Sequence, residues 1–229
     1  VVLVQEGMTD PENMAYYLVK YLGLPRYLAS TSTFGMSDAY MRMCVASEGY
    51  KRHFIQKGAK HSKIAVTGIP NFDNCIEYTA QQFEHRNFVL VATSDARETF
   101  KFENRKATIE RSLAIANGRK LIFKLHPNEV ASRAVAEIEK WAPGAEVITG
   151  RPIEPLIAHC DTLITKYSSC VYVGIALGKE VYSDFPIETL RELCPIQNGG
   201  RSAERIASVC EEVVDSLGVR VAALHPQQM

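Results

Sequence analysis

His126 and the serine pair Ser168-Ser169 have the residue types and the placement that suit phosphate binding. His126 follows an apolar run that predicts a buried strand, and Pro127 fixes the backbone direction after it. Ser168-Ser169 precedes a predicted helix, where free backbone N–H groups and the helix dipole favour an anion. The alternatives are a satisfied polar residue for His126 and an ordinary N-cap for the serines. We expect adjacent parallel strands to bring both to one sheet edge, where together they grip a nucleotide phosphate without a metal ion.

Carboxylates follow the first and the last predicted strands. Glu6 precedes Gly7 after the first strand, a placement in which a carboxylate on a turn could act as a general base on an acceptor hydroxyl. Asp184 and Glu188 follow the last strand and could bind ribose or acceptor hydroxyls. The alternative for each is a solvated surface carboxylate.

A further group of polar residues opens the second half of the chain. Thr93 and Ser94 follow a strongly apolar run, and Arg97 lies just beyond them. Hydroxyls and a cation at this point could help to neutralise a leaving phosphate or diphosphate. Lys101 and Arg105 are interpreted as a solvated basic helix face.

The composition narrows the classes of protein. The chain has 229 residues, 46% of them hydrophobic and 23% charged, with a mean hydropathy of -0.10. These values are typical of a soluble globular chain of one large or two small domains, and they argue against disorder and a membrane span. Basic and acidic residues both number 26, so the formal charge is zero and no nucleic-acid partner is indicated.

The cysteines and histidines predict no metal or cofactor. The six cysteines are widely spaced without a C-x-x-C pair, which favours buried free thiols in a reducing, cytoplasmic compartment. The histidines other than His126 lie at no metal-ligand spacing. The sequence also lacks the glycine-rich and nucleophile motifs of the usual NAD oxidoreductases, P-loop NTPases and serine hydrolases.

Short apolar runs alternate with helical segments along the chain. Strands are predicted at residues 1–4, 44–47, 64–67, 88–92, 121–125, 146–148, 162–165 and 180–183. Helices are predicted at residues 13–22, 48–57, 104–116, 132–141, 155–159, 169–177 and 201–217. This alternation predicts an α/β fold of doubly wound parallel sheets of the Rossmann-like type.

The alternation restarts at Phe88 and divides the chain. Residues 1–77 are expected to be the C-terminal part of a first Rossmann-like domain and residues 78–87 a linker. Residues 88–200 are expected to form a complete domain of the nucleotide-binding type, followed by a closing helix and tail at 201–229. Because the chain begins inside an apolar run and without Met, we expect an N-terminal part to be missing.

Taken in order, the motifs resemble those of GT-B glycosyltransferases. Similar enzymes are the bacterial sialyl-, polysialyl- and Kdo-transferases and the CDP-glycerol glycerophosphotransferases of capsule and wall-polymer synthesis. Their acidic-acidic-glycine, His-Pro and Ser-Ser motifs resemble Gln5-Glu6-Gly7, His126-Pro127 and Ser168-Ser169. The segment 163–169 is similar to the wall-polymer pattern, with Lys166 where Asp is more usual.

The resemblance implies a metal-independent glycosyltransferase that needs no cofactor. It would move a sugar or polyol phosphate from a CMP- or CDP-linked donor to a hydroxyl of an oligosaccharide or glycolipid acceptor in surface polysaccharide synthesis. His126 and Ser168-Ser169 would bind the donor phosphate in the second domain, and Glu6 would supply the base from the acceptor-side domain. Gln5 departs from the acidic motif. A cytoplasmic enzyme with peripheral contact at the inner face of the cell membrane is implied.

Two alternatives remain. UDP-N-acetylglucosamine 2-epimerases are similar over residues 45–74, in particular at 66–73, and at His126-Pro127-Asn128. Their Ser-Gly-Gly segment and the acidic residues after it are replaced here by Ser168-Ser169-Cys170-Val171-Tyr172, which lacks both the glycines and the carboxylates and ranks the epimerase second. The third interpretation is a non-catalytic module that binds a nucleotide sugar.

Overall fold

The computed structural model of the chain describes residues 1–99 and 102–218. The chain divides into two compact units. The first comprises Val1–Asp73 together with the described residues from Pro195 onward, and the second is Asn74–Cys194. The second unit is therefore contiguous in sequence, whereas the first is built from two separate segments.

Strands and helices alternate through the described residues as the sequence predicts. In chain order the strands are β1 (Val2–Val4), β2 (Arg42–Val45), β3 (Ile64–Val66), β4 (Phe88–Ala92), β5 (Lys120–Lys124), β6 (Glu146–Ile148), β7 (Thr162–Ile164) and β8 (Glu180–Tyr182). The helices are α1 (Met14–Leu22), α2 (Glu48–Gln56), α3 (Arg105–Ala116), α4 (Ala131–Trp141), α5 (Glu154–His159), α6 (Val171–Ala176), α7 (Ile187–Leu193) and α8 (Ser202–Ser216). The predicted fold class of doubly wound parallel sheets is confirmed, and α7 is a helix that the sequence patterns missed.

Side-chain caps set the starts of several helices. Ser47 accepts a hydrogen bond from the backbone N–H of Tyr50 at the start of α2 (3.2 Å). Asn104 does the same for Ala107 at the start of α3 (3.1 Å). Each cap satisfies a backbone donor that has no partner within its own helix.

The first unit holds a parallel sheet in the order β1-β2-β3. The last helix, α8, packs against β1 and β2 of this sheet. The side chain of Asp73 accepts the backbone N–H of Ser202 at 2.8 Å, so a carboxylate from a distant segment caps the N-terminus of α8. The closing segment thus belongs to the first unit rather than to the second.

Gly68 explains how closely the two segments of the first unit approach. Its φ is +80°, and a Cβ added there would lie 2.2 Å from the hydroxyl of Ser202. The Asn198 side chain also donates to the carbonyl of Thr67 at 3.1 Å. Glycine adopts this positive φ without strain, and any larger residue would have to displace the Ser202 side chain.

The second unit holds a parallel sheet in the order β6-β5-β4-β7-β8. All five residues of β4 are buried, as its continuous apolar sequence predicts. Helices α3 and α4 pack together over one set of alternating strand residues, which includes Val89, Val91 and Phe123. The glycine at position 174 in α6 lets that helix approach the sheet, since a Cβ there would meet Leu163 at 2.9 Å.

The division into units differs from the expected one at both ends of the second unit. Residues 78–87 are not a separate linker, because a 3-10 helix at Cys75–Ala80 packs against α5 and α6, and Arg86 contacts His159 of α5 at 2.6 Å. The boundary lies instead at residues 73 and 74, and the chain returns to the first unit at Pro195. Of the expected closing segment 201–229, residues 219–229 lie outside the described part.

Two further findings concern the cysteines and the helices. All six cysteines are free, as predicted, and burial raises the pKa of the Cys44 thiol to about 11. Among the described residues, no helix combines the length and the apolar composition needed to cross a bilayer.

Candidate functional site

The predicted phosphate-binding residues follow three strands of the second sheet. His126 comes after β5, Thr93 after β4, and Ser168-Ser169 after β7. We expected β5 and β7 to be adjacent, but β4 lies between them. At the usual strand spacing their ends are roughly 10 Å apart. From β4 the chain adds β5 and β6 on one side of the sheet and then β7 and β8 on the other. The carboxyl end of the sheet at this reversal of strand order is the topological switch point, where ligands bind in such folds.

His126 begins a tight turn that is closed from both sides. Its carbonyl accepts the N–H of Glu129 at 3.1 Å. Its own N–H lies 3.0 Å from the Thr93 hydroxyl and 3.0 Å from Oε2 of Glu129. The Thr93 hydroxyl also contacts the same carboxylate oxygen. Thr93 is buried and engaged with this turn, which makes it part of the scaffold around His126.

The local contacts of the His126 ring define which nitrogen is a donor. Its Nδ1 accepts the backbone N–H of Asn128 at 3.3 Å and lies 3.8 Å from a carboxylate oxygen of Asp95. The Asn128 side chain donates to that oxygen at 3.1 Å. A neutral ring that accepts at Nδ1 carries its proton on Nε2. The side chain is 37% exposed, so Nε2–H is available to an anionic ligand.

A cavity of about 410 Å³ lies beside this turn. His126 and Pro127 line it together with Lys124, Thr149 and Arg151. The Lys124 side chain donates to the carbonyl of Leu125 at 2.7 Å, and burial lowers the pKa of its ammonium group. Sequence reasoning missed Lys124 and Arg151 as candidates. A lysine at the end of an otherwise apolar strand is the signal that would have indicated the first of them.

Arg97 and Ser94 are the two remaining predicted phosphate ligands in the β4–α3 loop, and Arg97 is already paired with a carboxylate. Its guanidinium forms two hydrogen bonds of 2.8 Å with the carboxylate of Glu137 in α4. Ser94 places its hydroxyl oxygen in a buried position without a hydrogen-bond partner among the described residues.

Arg105 corrects the expectation of a solvated basic helix face. It is 4% exposed, and its Nη2 contacts Glu129 and lies 3.2 Å from Glu103. Burial raises the pKa of the Glu103 carboxyl. The first residue of α3 is therefore part of a buried ion network under the His126 turn. Lys101, the other residue of the expected face, lies outside the described residues.

Ser168-Ser169 lies on a turn before a short helix. The Ser168 hydroxyl accepts the N–H of Cys170 at 3.4 Å, and α6 begins only at Val171 and has six residues. The preceding Lys166 is half-buried, and its carbonyl accepts the Ser183 hydroxyl at 2.8 Å. The serines keep their predicted place at the carboxyl end of β7, with a much shorter helix behind them than the sequence predicted.

The two carboxylates predicted to follow the last strand differ in their surroundings. Asp184 forms an ion pair with Arg111 at 3.1 Å and lines a smaller cavity of about 240 Å³ with Lys166. Glu188 is 83% exposed and pairs with Arg191 in the first turns of α7. Asp184 therefore lies at a concave surface, whereas Glu188 is a solvated side chain.

Glu6 lies in the first unit on an exposed turn that Gln5 fixes. The Gln5 side chain donates to the carbonyl of Gly7 at 2.8 Å and accepts the N–H of Ala46 at 3.0 Å. An ionised carboxylate at position 5 has no proton to give to the Gly7 carbonyl. This explains in local terms why an amide stands where the resembled motif has an acid.

No group of three or more His, Cys, Asp or Glu side chains suited to a metal ion occurs in the part of the chain that the structure describes.

Three solved structures share this architecture at low sequence identity. UDP-GlcNAc 2-epimerase from Neisseria meningitidis, bound to UDP-GlcNAc, has a TM-score of 0.59 at 13% identity over 92% of this chain and 69% of its own. MnaA of S. aureus, in a structure with UDP, has a TM-score of 0.57 at 13% identity over 88% and 65%. The wall teichoic acid polymerase TagF has a TM-score of 0.53 at 14% identity over 93% and 68%.

The fold is GT-B-like. Both resemblances inferred from the motifs, to a wall-polymer transferase and to a UDP-GlcNAc 2-epimerase, are represented among these structures. The chain spans 65 to 69% of the length of these GT-B-like proteins. No family model and no curated protein matches the sequence.

Proposed function

We propose that the chain is part of an enzyme that transfers a sugar or a polyol phosphate from a nucleotide-activated donor to a hydroxyl acceptor. The observation that supports this best is the combination of His126, Lys124 and Arg151 around one cavity at the carboxyl end of a doubly wound sheet. Three residues with cationic or N–H donor groups that line a cavity of about 410 Å³ suit a nucleotide with its phosphate.

In this proposal the second unit binds the donor. The Nε2–H of His126 and the two cations stabilise the negative charge that develops on the leaving phosphate. Ser168-Ser169, on the far side of β4, contributes hydroxyl donors to the same phosphate or to a second one. Because these donors are fixed before the reaction, they stabilise the transition state without a reorganisation cost.

The chemical step is a displacement at the donor. The acceptor hydroxyl gives its proton to Glu6, its oxygen forms a bond to the transferred group, and the bond from that group to the nucleotide phosphate breaks. The electron pair of that bond leaves with the phosphate. We propose an oligosaccharide or glycolipid as the acceptor, used at the inner face of the cell membrane.

A UDP-GlcNAc 2-epimerase is the second candidate. A solved epimerase with UDP-GlcNAc shares the fold with a TM-score of 0.59, and the His126-Pro127-Asn128 turn is similar to that family. Against it, residues 168–172 contain neither the glycines nor the carboxylates of the family segment.

The test is calorimetric titration of the 229-residue chain with CMP, CDP, UMP, UDP and GDP, each with Mg²⁺ and with EDTA. We expect selective binding of a cytidine nucleotide that persists in EDTA. Loss of one hydrogen bond to a charged group in His126→Ala should weaken it by about 10- to 100-fold.

The matched control is His85→Ala, because His85 is also half-buried and polar but pairs with Glu146 at the amino end of the same sheet. Its affinity should equal that of the wild type. Selective binding of UDP together with interconversion of UDP-GlcNAc would favour the epimerase. Binding of a nucleotide without turnover of any donor would favour the binding module, and absence of binding would contradict the proposal.

A further inference from the structure

We propose that Glu129 is a positioning residue that holds His126 in its phosphate-binding orientation, with Arg105 as its counter-ion. The inference rests on the proposed function only where it concerns nucleotide binding. The geometric part stands on the contacts of the turn itself.

The two carboxylate oxygens of Glu129 have separate tasks. Oε2 accepts the backbone N–H of His126 at 3.0 Å and contacts the Thr93 hydroxyl. Oε1 contacts the guanidinium of Arg105. The backbone N–H of Glu129 donates to the His126 carbonyl at 3.1 Å, so one residue closes the turn through both its main chain and its side chain.

The network is poorly suited to a purely stabilising role. The Glu129 and Arg105 side chains are 1% and 3% exposed, and Nε and Nη1 of Arg105 have no hydrogen-bond partner among the described residues. Taking charges out of water costs more than such a pair usually returns, so an apolar pair of similar volume would be as stable or more so. What an apolar pair could not do is accept the N–H of His126.

The closed turn determines which ring nitrogen of His126 carries the proton. Only two residues, Pro127 and Asn128, separate His126 from Glu129. While the turn is closed, the N–H of Asn128 donates to Nδ1 at 3.3 Å, and Nε2 keeps its proton for a ligand. Without the Glu129 carboxylate, this N–H is free to move away and the ring becomes a mixture of both tautomers.

The experiment compares Glu129→Gln with Glu180→Gln in the full chain. Glu180 is the control because it also accepts a hydrogen bond from a threonine hydroxyl, that of Thr162 at 2.7 Å, but lies at the amino end of the sheet. Long-range ¹H–¹⁵N NMR spectra report the tautomer of each histidine ring, and the signals missing in His126→Ala identify those of His126. The second measurement is the affinity for the nucleotide that binds the wild type most tightly.

We expect the wild type and Glu180→Gln to show the Nε2–H tautomer of His126 and equal affinities. In Glu129→Gln the single amide oxygen can accept from Arg105 or from the His126 N–H but not from both, and the amide NH₂ group then faces a donor on the other side. The turn is no longer held closed, so the tautomer should become mixed. The affinity for the nucleotide should fall by about 10- to 100-fold, because a misplaced binding group loses most of its contribution. An unchanged tautomer in Glu129→Gln would overturn the proposal.

Two further outcomes are separable. If the wild type binds no nucleotide, the proposed function fails, while the tautomer measurement still decides the role of Glu129. If Glu129→Gln does not fold, Glu129→Asp keeps the buried charge beside Arg105 and withdraws the oxygens by one methylene. The same mixed tautomer is then expected, and an unchanged one again overturns the proposal.

Discussion

The five-stranded sheet carries the same three residue types at both of its ends. A threonine, a glutamate and an arginine are joined by contacts at the carboxyl end of the sheet. A second trio of the same residue types is joined by contacts at the amino end. The two trios are Thr93, Glu129 and Arg105, and Thr162, Glu180 and Arg119. The first lies under the His126 turn, whereas the second joins the starts of β7 and β8 to the segment that leads into β5.

Burial separates the two trios. Glu129 and Arg105 are buried, whereas Glu180 and Arg119 are exposed to water. Water screens the exposed charges and can replace any partner that is lost. The buried charges depend on one another, so a change to one of them is transmitted to the turn. Identical residue types thus serve as a surface contact at one end and as a support for a candidate site at the other.

The largest expected difference is between Arg105→Met and Arg119→Met. The first leaves Glu129 and Glu103 buried without their shared counter-ion, which should lower the free energy of unfolding by about 3–5 kcal/mol. The second removes the hydrogen bonds of an exposed side chain, which are themselves exposed or only partly buried, and should cost about 1 kcal/mol or less. Urea unfolding followed by the fluorescence of Trp141, the single tryptophan, reports on the second unit. Equal costs would remove the distinction between the trios.

A smaller difference is expected between Thr93→Val and Thr162→Val, which remove a hydroxyl at constant volume. Thr93→Val leaves a buried carboxylate with one donor fewer and should cost about 1–3 kcal/mol. Thr162→Val leaves Glu180 accessible to water and should cost less. Nucleotide affinity should fall only in Thr93→Val, and a fall of equal size in both variants would contradict the comparison.

The smallest expected effect is a difference in the sign of the pH dependence. Burial raises the pKa of Glu103 above its ordinary 4.5, so its contribution to stability is present below pH 4.5 and lost as the pH rises through the shifted value. The hydrogen bond from Thr162 lowers the pKa of Glu180, so its contribution is present above pH 4.5 and lost as the pH falls through the shifted value.

The measurement is the melting temperature of wild type, Glu103→Gln and Glu180→Gln between pH 3 and pH 8. The melting temperature of Glu103→Gln should increase relative to that of the wild type as the pH rises. The melting temperature of Glu180→Gln should decrease relative to that of the wild type over the same range. The corresponding loss in the free energy of unfolding should be no more than about 1 kcal/mol, because the side chain is exposed. The same sign for both variants would show that burial does not distinguish the two carboxylates.

Much of the fold follows from local patterns in the sequence. A continuous apolar run such as Phe88–Ala92 has the right length for a fully buried parallel strand, and the structure confirms it. The rule that ligands bind after strands selected His126, because a residue's position relative to its own strand is local information. The same rule led to Thr93, which the structure engages with the His126 turn.

What the sequence did not predict depends on partners far away along the chain. Arg105 is buried because Glu129 meets it from 24 residues further on. The closing helix belongs to the first unit because Asp73 caps Ser202 across 129 residues. Periodicity and propensity describe one element at a time, and neither contains the pairing of two distant segments.

The long return of the chain to the first unit also has a consequence in time. A protein is synthesised from its N-terminus, so residues 74–194 leave the ribosome as a complete unit while α8 has not yet been made. The contacts of the loop at Gly68 with Asn198 and Ser202 can form only after these later residues have been synthesised. The half of the molecule that carries His126 is therefore expected to mature during synthesis before the half that carries Glu6.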